Sequence, residues 1–258
     1  MGFLRLALAL AIIRGHSTEL GGHWTGALMV AGFYAIAGYF ATYAMQHGYK
    51  GQWATFLVSR WFRLWPIYLV IFLGSVAGLA ALNPLRLGLI SAHELVRQSL
   101  MILPDHDHHL LWVVGPGWML KYLLLGYLAI ALGAAASARR TWAWLALSFA
   151  MVEVARIHSL YWPGATASLA FAVGASAFWA GLSVPRDGRW GAWAGALSYP
   201  VFLSHWQIDR ALRIATEIPL GWPLFFAVLA LSLPLSAVLV LAVDRPADRF
   251  RKSLLTKG

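Results

Sequence analysis

Cysteine is absent from the 258 residues. Disulfides, thiolate nucleophiles and cysteine-ligated metals are therefore excluded. Charge is also scarce: 12% of residues are Asp, Glu, Lys or Arg, roughly half the share in a soluble domain. Acids are scarcer still, 10 against 20 Lys and Arg, giving a formal net charge of +10. No internal repeat, low-complexity tract or polar linker breaks the chain, so a single domain over residues 1–258 is the economical reading. A secretory signal is not expected either, because Arg14 interrupts the first apolar run and no small-residue cleavage site follows. Myristoylation is not expected, since Leu6 stands where it requires Ser or Thr.

What fills the space is apolar. Hydrophobic residues make up 60% of the chain, with 14 Trp and 9 Tyr, and mean hydropathy is +0.66. Such rings favour the headgroup level of a bilayer. The composition points to an all-α, polytopic transmembrane helix bundle. The basic excess then belongs to loops that face the cytoplasm rather than to nucleic-acid binding.

About eight stretches have spanning length: residues 3–20, 25–45, 65–82, 110–134, 142–158, 165–183, 193–213 and 222–243. Between the third and fourth, Ser91 and Glu94 form a capping-box pattern, which predicts a shorter interfacial or re-entrant helix. Placing the first residues inside gathers most Lys and Arg on one side. Both termini are then cytoplasmic.

Three stretches carry residues that do not suit lipid. In "FLRLALALAIIRGHS" (3–17), Arg5 and His16 lie eleven positions apart, on one face of a helix, with Arg14 opposite. Arg14 is expected to snorkel or to pair with Glu19 or Glu153. In "FLVSRWFRLWPIYLV" (56–70), Arg60 and Arg63 share a face just before Pro66, a fork suited to phosphate. In "GALSYPVFLSHWQIDR" (195–210), Ser198, Tyr199, Ser204 and His205 are polar within an apolar run. Each has a plainer account: topology anchors for the arginines, a satisfied interfacial His16, and interhelical hydrogen bonds for the third group.

Taken in order, these stretches resemble the membrane-bound acyltransferase family 3. Arg5 and His16 match its first helix, and "FYAIAGYFA" (33–41) loosely matches its second. Phe56, Arg60, Arg63, Pro66 and Tyr68 match its cytoplasmic segment. Pro116, Gly117, Trp118 and Leu120 match a later element, as do Ser198, Tyr199, Phe202, Leu203 and His205, then Asp244 and Pro246. Two departures stand out: Leu123 replaces a glutamate common in the family, and the stretch from Trp118 to Ser198 is about two helices short.

The resemblance implies a multi-pass O-acyltransferase of the bacterial inner (plasma) membrane. It would move an acyl group, here acetyl, from cytoplasmic acyl-CoA to a hydroxyl of a glycan, glycolipid or related lipid acceptor. His16 would be the general base, aided by His205, Tyr199 and Glu19. Arg5, Arg60 and Arg63 would bind acyl-CoA, with Trp118 and Ser198 walling the acceptor site. No metal is implied. The alternatives are a transporter with intramembrane Arg and His along its path, and a silent family member serving as an assembly subunit. The cluster Asp105, His106, Asp107, His108 and His109 has ligand-type side chains, but adjacent rather than spaced along a helix, so a solvated loop is expected there.

Overall fold

The computed structural model describes residues 1–18, 23–102, 112–160, 162–185, 187–216 and 218–255. Helix is the only regular structure among them. In chain order the helices are α1 (Gly2–Ser17), α2 (His23–His47), α3 (Trp53–Leu82), α4 (Pro84–Gly88), α5 (Ala92–Ser99), α6 (Gly117–Ala131), α7 (Ala138–Ile157), α8 (Pro163–Trp179), α9 (Arg189–Thr216) and α10 (Trp222–Leu239). A π turn (Val240–Asp244) then leads into α11 (Arg245–Leu255).

Helices therefore form where apolar runs were seen, but the expectation of about eight spans does not hold. Among the described residues, three segments are long and apolar enough to cross a membrane: Gly26–His47, Trp53–Leu82 and Trp222–Ser253. The others are too short, or carry too many polar and charged residues. α9 shows why. Its residues 190–208 carry no Asp, Glu, Lys or Arg, but Ser198, Tyr199, Pro200, Ser204, His205 and Gln207 leave that run too polar for a span. The expectation of two cytoplasmic termini, read from Lys and Arg sorted over about eight crossings, falls with that architecture.

Pro66 lies inside a helix. α3 runs through it for 30 residues. The missing N–H weakens the ladder locally, and a side chain adds a bond nearby: Tyr199 Oη donates to the Leu64 carbonyl at 3.1 Å. The Ser91 cap does form, with Ser91 Oγ accepting the Glu94 N–H at 3.1 Å. Only half the capping box closes, however. The Glu94 carboxylate turns to Arg97 (3.3 Å) and to Gln98 Nε2 (3.1 Å).

The chain divides into two compact units, and α2, α3 and α6 each contribute to both. Unit 1 holds Met1–Met29, Phe62–Lys121 and Arg186–Gly258. Its centre is α1 against α9. A Cβ on Gly2 would overlap the Gly191 carbonyl, so the two backbones touch there. Ala9, Ile12 and Ile13 of α1 and Val201, Phe202 and Leu203 of α9 are buried. Asp187 caps the start of α1, its two carboxylate oxygens each 3.0 Å from the Gly2 N–H. α5 is held by Gln98, whose Oε1 accepts the Val113 N–H at 3.0 Å, and by Trp65 Nε1 donating to the Ser99 carbonyl at 2.9 Å.

Unit 2 holds Val30–Trp61 and Tyr122–Pro185. α7 and α8 are tied by a three-member polar knot: Trp144 Nε1 donates to Ser168 Oγ at 2.9 Å, and Ser148 Oγ lies 2.7 Å from the same oxygen. Small residues bring α2 onto α8. A Cβ on Gly38 would overlap the Phe171 backbone, and one on Gly174 the Ala35 carbonyl. Tyr34 stacks on Phe171 (centroids 5.7 Å apart), and Tyr39 Oη donates to the Leu182 carbonyl at 2.7 Å.

Candidate functional site

The residues of α9 serve two faces. His205 and Asp209, one turn apart, look toward α1. Ser204, Gln207, Ala211 and Ile214 follow the i, i+3, i+7, i+10 rhythm of another face and line a groove.

On the first face, His205 stacks on His16 of α1 with ring centroids 5.5 Å apart, and the edge of Trp206 meets His16 at 4.9 Å. His205 is fully buried. Its Nδ1 lies 2.6 Å from the Phe202 carbonyl. A carbonyl only accepts, so Nδ1 carries the proton and Nε2 presents its lone pair. That Nε2 is buried with no hydrogen-bond partner among the described residues. α1 and α9 lie outside the three span-length segments. Burial, and secondarily the neighbouring His16, push the His205 pKa down to about 3, so the ring is neutral. Burial and then Arg213 lower His16 in the same direction. Below the pair, Ser17 Oγ donates to Asp209 Oδ1 at 3.1 Å, and Arg213 Nε meets Asp209 Oδ2 at 3.1 Å. Asp209 is 1% exposed, so each of these bonds offsets the cost of burying its charge.

The other site residues expected from the sequence are dispersed. Tyr199 is engaged with Leu64, and Ser198 Oγ donates to the Gly195 carbonyl at 2.7 Å. Arg5 lies against the Gly195 backbone and acts on Asp187. Arg63 shares a polar cleft with Asp244, Arg245, Asp248 and Arg249. Arg60 belongs to unit 2, its guanidinium 4.9 Å from the Phe56 ring centre and 5.8 Å from that of Tyr127. Trp118 stacks on Trp112 (6.5 Å). Arg14 lies over Trp222 at 5.7 Å, while Glu153, its expected partner, pairs with Arg156 at 2.7 Å. Glu19 and the Asp105–His109 cluster lie outside the described residues. Among the described residues, no group of three or more His, Cys, Asp or Glu is placed to hold a metal.

On the second face, α9 meets α3 and α10 across a groove of about 420 Å³, within the usual size of a ligand pocket. From α3 come Val70, Ile71, Gly74, Ser75, Gly78, Leu79 and Leu82, one face at helical spacing. Leu235 and Leu239 of α10 close the side. Gly74 and Gly78 have open space where a Cβ would stand, which deepens the groove. The walls are almost wholly apolar. Their charged members are Arg86, just past the end of α3, and Arg210. No carboxylate lines the groove among the described residues. Arg86 Nη2 donates to the Trp112 carbonyl at 3.0 Å, which fixes the guanidinium in place. Burial and the adjacent Arg210 charge both act to lower the Arg86 pKa; a guanidinium stays charged nonetheless. The Tyr199–Leu64 bond lies before the groove on both helices and the Arg86–Arg210 neighbours lie farther along, so α3 and α9 run the same way along its length.

Sequence reasoning did not single out Arg86, Arg210 or Asp209. A signal was present for the first: "LNPLRLG" puts a turn dipeptide and an arginine immediately after an apolar run. Arg210 and Arg213 looked like ordinary helix-end cations.

No family model, no curated protein and no solved structure matches the chain. The resemblance to acyltransferase family 3 is therefore overturned. Its motifs occur in the family's order, but no family model finds them, and among the described residues three span-length helices stand against the expected eight. The activity inferred from it falls too: acyl-CoA-dependent O-acyl transfer with His16 as base had no other warrant. The reading as a silent member of that family goes with it. The described residues are helical and include three helices of membrane-spanning length, which supports association with a membrane.

Proposed function

We propose that this is a multi-pass protein of the plasma membrane, in a bacterium the inner membrane, whose unit 1 binds one anionic glycerolipid from the bilayer. Acyl chains lie along the apolar walls of the groove, and the phosphate sits between Arg86 and Arg210. The observation that carries this reading is the composition of the groove: hydrocarbon on three sides, two guanidiniums at one end and no acid among its described lining. Two of its walls, α3 and α10, belong to span-length segments, so its sides are open to lipid. Arginine forks hold phosphate through charge-assisted bonds. Helical spans also fit an inner rather than an outer membrane, where spanning proteins are β-barrels.

The test is equilibrium lipid binding to purified protein in neutral detergent, with phosphatidylglycerol and phosphatidylcholine of identical chains. Each guanidinium–phosphate bond contributes about 1.5–3 kcal/mol. Both lipids carry that phosphate, but the choline ammonium of phosphatidylcholine sets a positive charge against the two guanidiniums, so phosphatidylglycerol should bind roughly tenfold or more tightly, and Arg86→Gln with Arg210→Gln should erase the difference. Equal binding of the two lipids by the wild-type protein would refute the proposal.

A further inference from the structure

Four hydroxyl or amide side chains line the groove besides its two arginines, and three of them are occupied. Ser75 Oγ donates to the Ile71 carbonyl at 2.7 Å. Asn83 Oδ1 accepts the Arg86 N–H at 3.2 Å. Gln207, with its amide turned to satisfy both ends, donates to the Leu203 carbonyl at 2.8 Å and accepts from the Gly115 N–H at 3.2 Å. Ser204 differs. It is 3% exposed, and its Oγ has no hydrogen-bond partner among the described residues.

Buried helical serines usually bond back to a carbonyl three or four residues earlier. Ser198 does so here, as does Ser75. Ser204 makes neither bond, neither to the Val201 carbonyl three residues back nor to the Pro200 carbonyl four back. The hydroxyl is left over where the other hydroxyl and amide groups of the groove are already bonded. A buried hydroxyl in that position is retained at a cost unless something in the groove answers it.

Its place along the groove says what that is. Ser204 lies six residues before Arg210 on α9, about 9 Å deeper along the helix axis. A glycerolipid whose phosphate is at Arg210 carries its ester carbonyls on the chain side of that phosphate. Those carbonyls are its only acceptors below the headgroup. We propose that Ser204 Oγ–H donates to an ester carbonyl of the bound lipid, so that the groove selects ester-linked over ether-linked glycerolipids. This inference rests on the lipid-binding reading above.

The experiment compares diester phosphatidylglycerol with a diether analogue of the same headgroup and chain length. The wild-type protein should hold the diester about threefold to tenfold more tightly, the range for one net hydrogen bond. Ser204→Ala should bind both lipids alike, with diether affinity unchanged. Ser204→Thr, which keeps the hydroxyl, should keep the preference. Equal wild-type affinities, with binding still dependent on Arg86 and Arg210, overturn the role of Ser204 and leave the groove intact. A preference that survives Ser204→Ala overturns it equally. Failure to bind either lipid sinks both proposals together.

Discussion

Lowering the pH from 7 to 5 should destabilise the protein through His205. The unfolded ring takes up a proton near 6.5; the folded ring, buried and beside His16, resists until about 3. The folded pKa is depressed, so the stabilisation from keeping this ring neutral is complete above about 6.5. It is then lost as pH falls toward 3, because the unfolded chain binds the proton first. Each pH unit inside that window costs about 1.4 kcal/mol, so the loss by pH 5 is about 2 kcal/mol. For a chain of this size that is a fall in Tm of about 4–8 °C. His16, lowered by burial and then Arg213, adds to the loss, whereas Asp209, raised by burial, works the other way. The decisive quantity is therefore the difference between wild type and His205→Phe, which cannot titrate. Thermal unfolding in detergent, followed by circular dichroism at pH 7, 6 and 5, measures it. Parallel Tm-versus-pH lines for the two proteins would refute the assignment of a buried neutral imidazole.

Ser17→Ala removes one of the bonds to the buried Asp209 carboxylate and should cost about 1.5–3 kcal/mol, read as a lower Tm at pH 7. Gly38→Ala forces a methyl into the Phe171 backbone and should destabilise unit 2 by about 1–3 kcal/mol; unchanged stability would mean α2 and α8 are not in backbone contact. Because the chain has no cysteine, single-cysteine labelling is clean. Lys50→Cys and Leu85→Cys flank α3 and should react with an impermeant maleimide from opposite sides of a sealed vesicle. Labelling of both from one side would remove α3 from the spans.

Helix positions were legible in the sequence because apolar runs of this length leave few alternatives, and the Ser91 cap was legible because its signature is local. Which helices could span was less so. The stretch of α9 free of Asp, Glu, Lys and Arg is long enough to span, but its Ser198, Tyr199, Ser204, His205 and Gln207 argue against lipid. The bond beside Pro66 was not legible either: its donor, Tyr199, is distant in sequence and leaves no local signal. The pairing of Arg5 with His16 by helix face was sound geometry. His16, however, finds His205 and Trp206 across the α1–α9 contact, whereas Arg5 finds Asp187 and the Gly195 backbone. The groove was hidden for the same reason. Arg86 and Arg210 are 124 positions apart in the sequence, and only the shared direction of α3 and α9 brings them to one end. Ser204 could be seen as polar in an apolar run. That its hydroxyl is unanswered shows only once the helices are packed.

The most direct measurement is photolabelling in native-like bilayers with phosphatidylglycerol carrying a diazirine on its acyl chain, followed by peptide mapping. Adducts should concentrate on residues 70–82 of α3, 204–214 of α9 and 235–239 of α10, and should fall away when Arg86 and Arg210 are both changed to Gln. Adducts spread evenly over every lipid-facing helix, or concentrated in unit 2, would contradict the account.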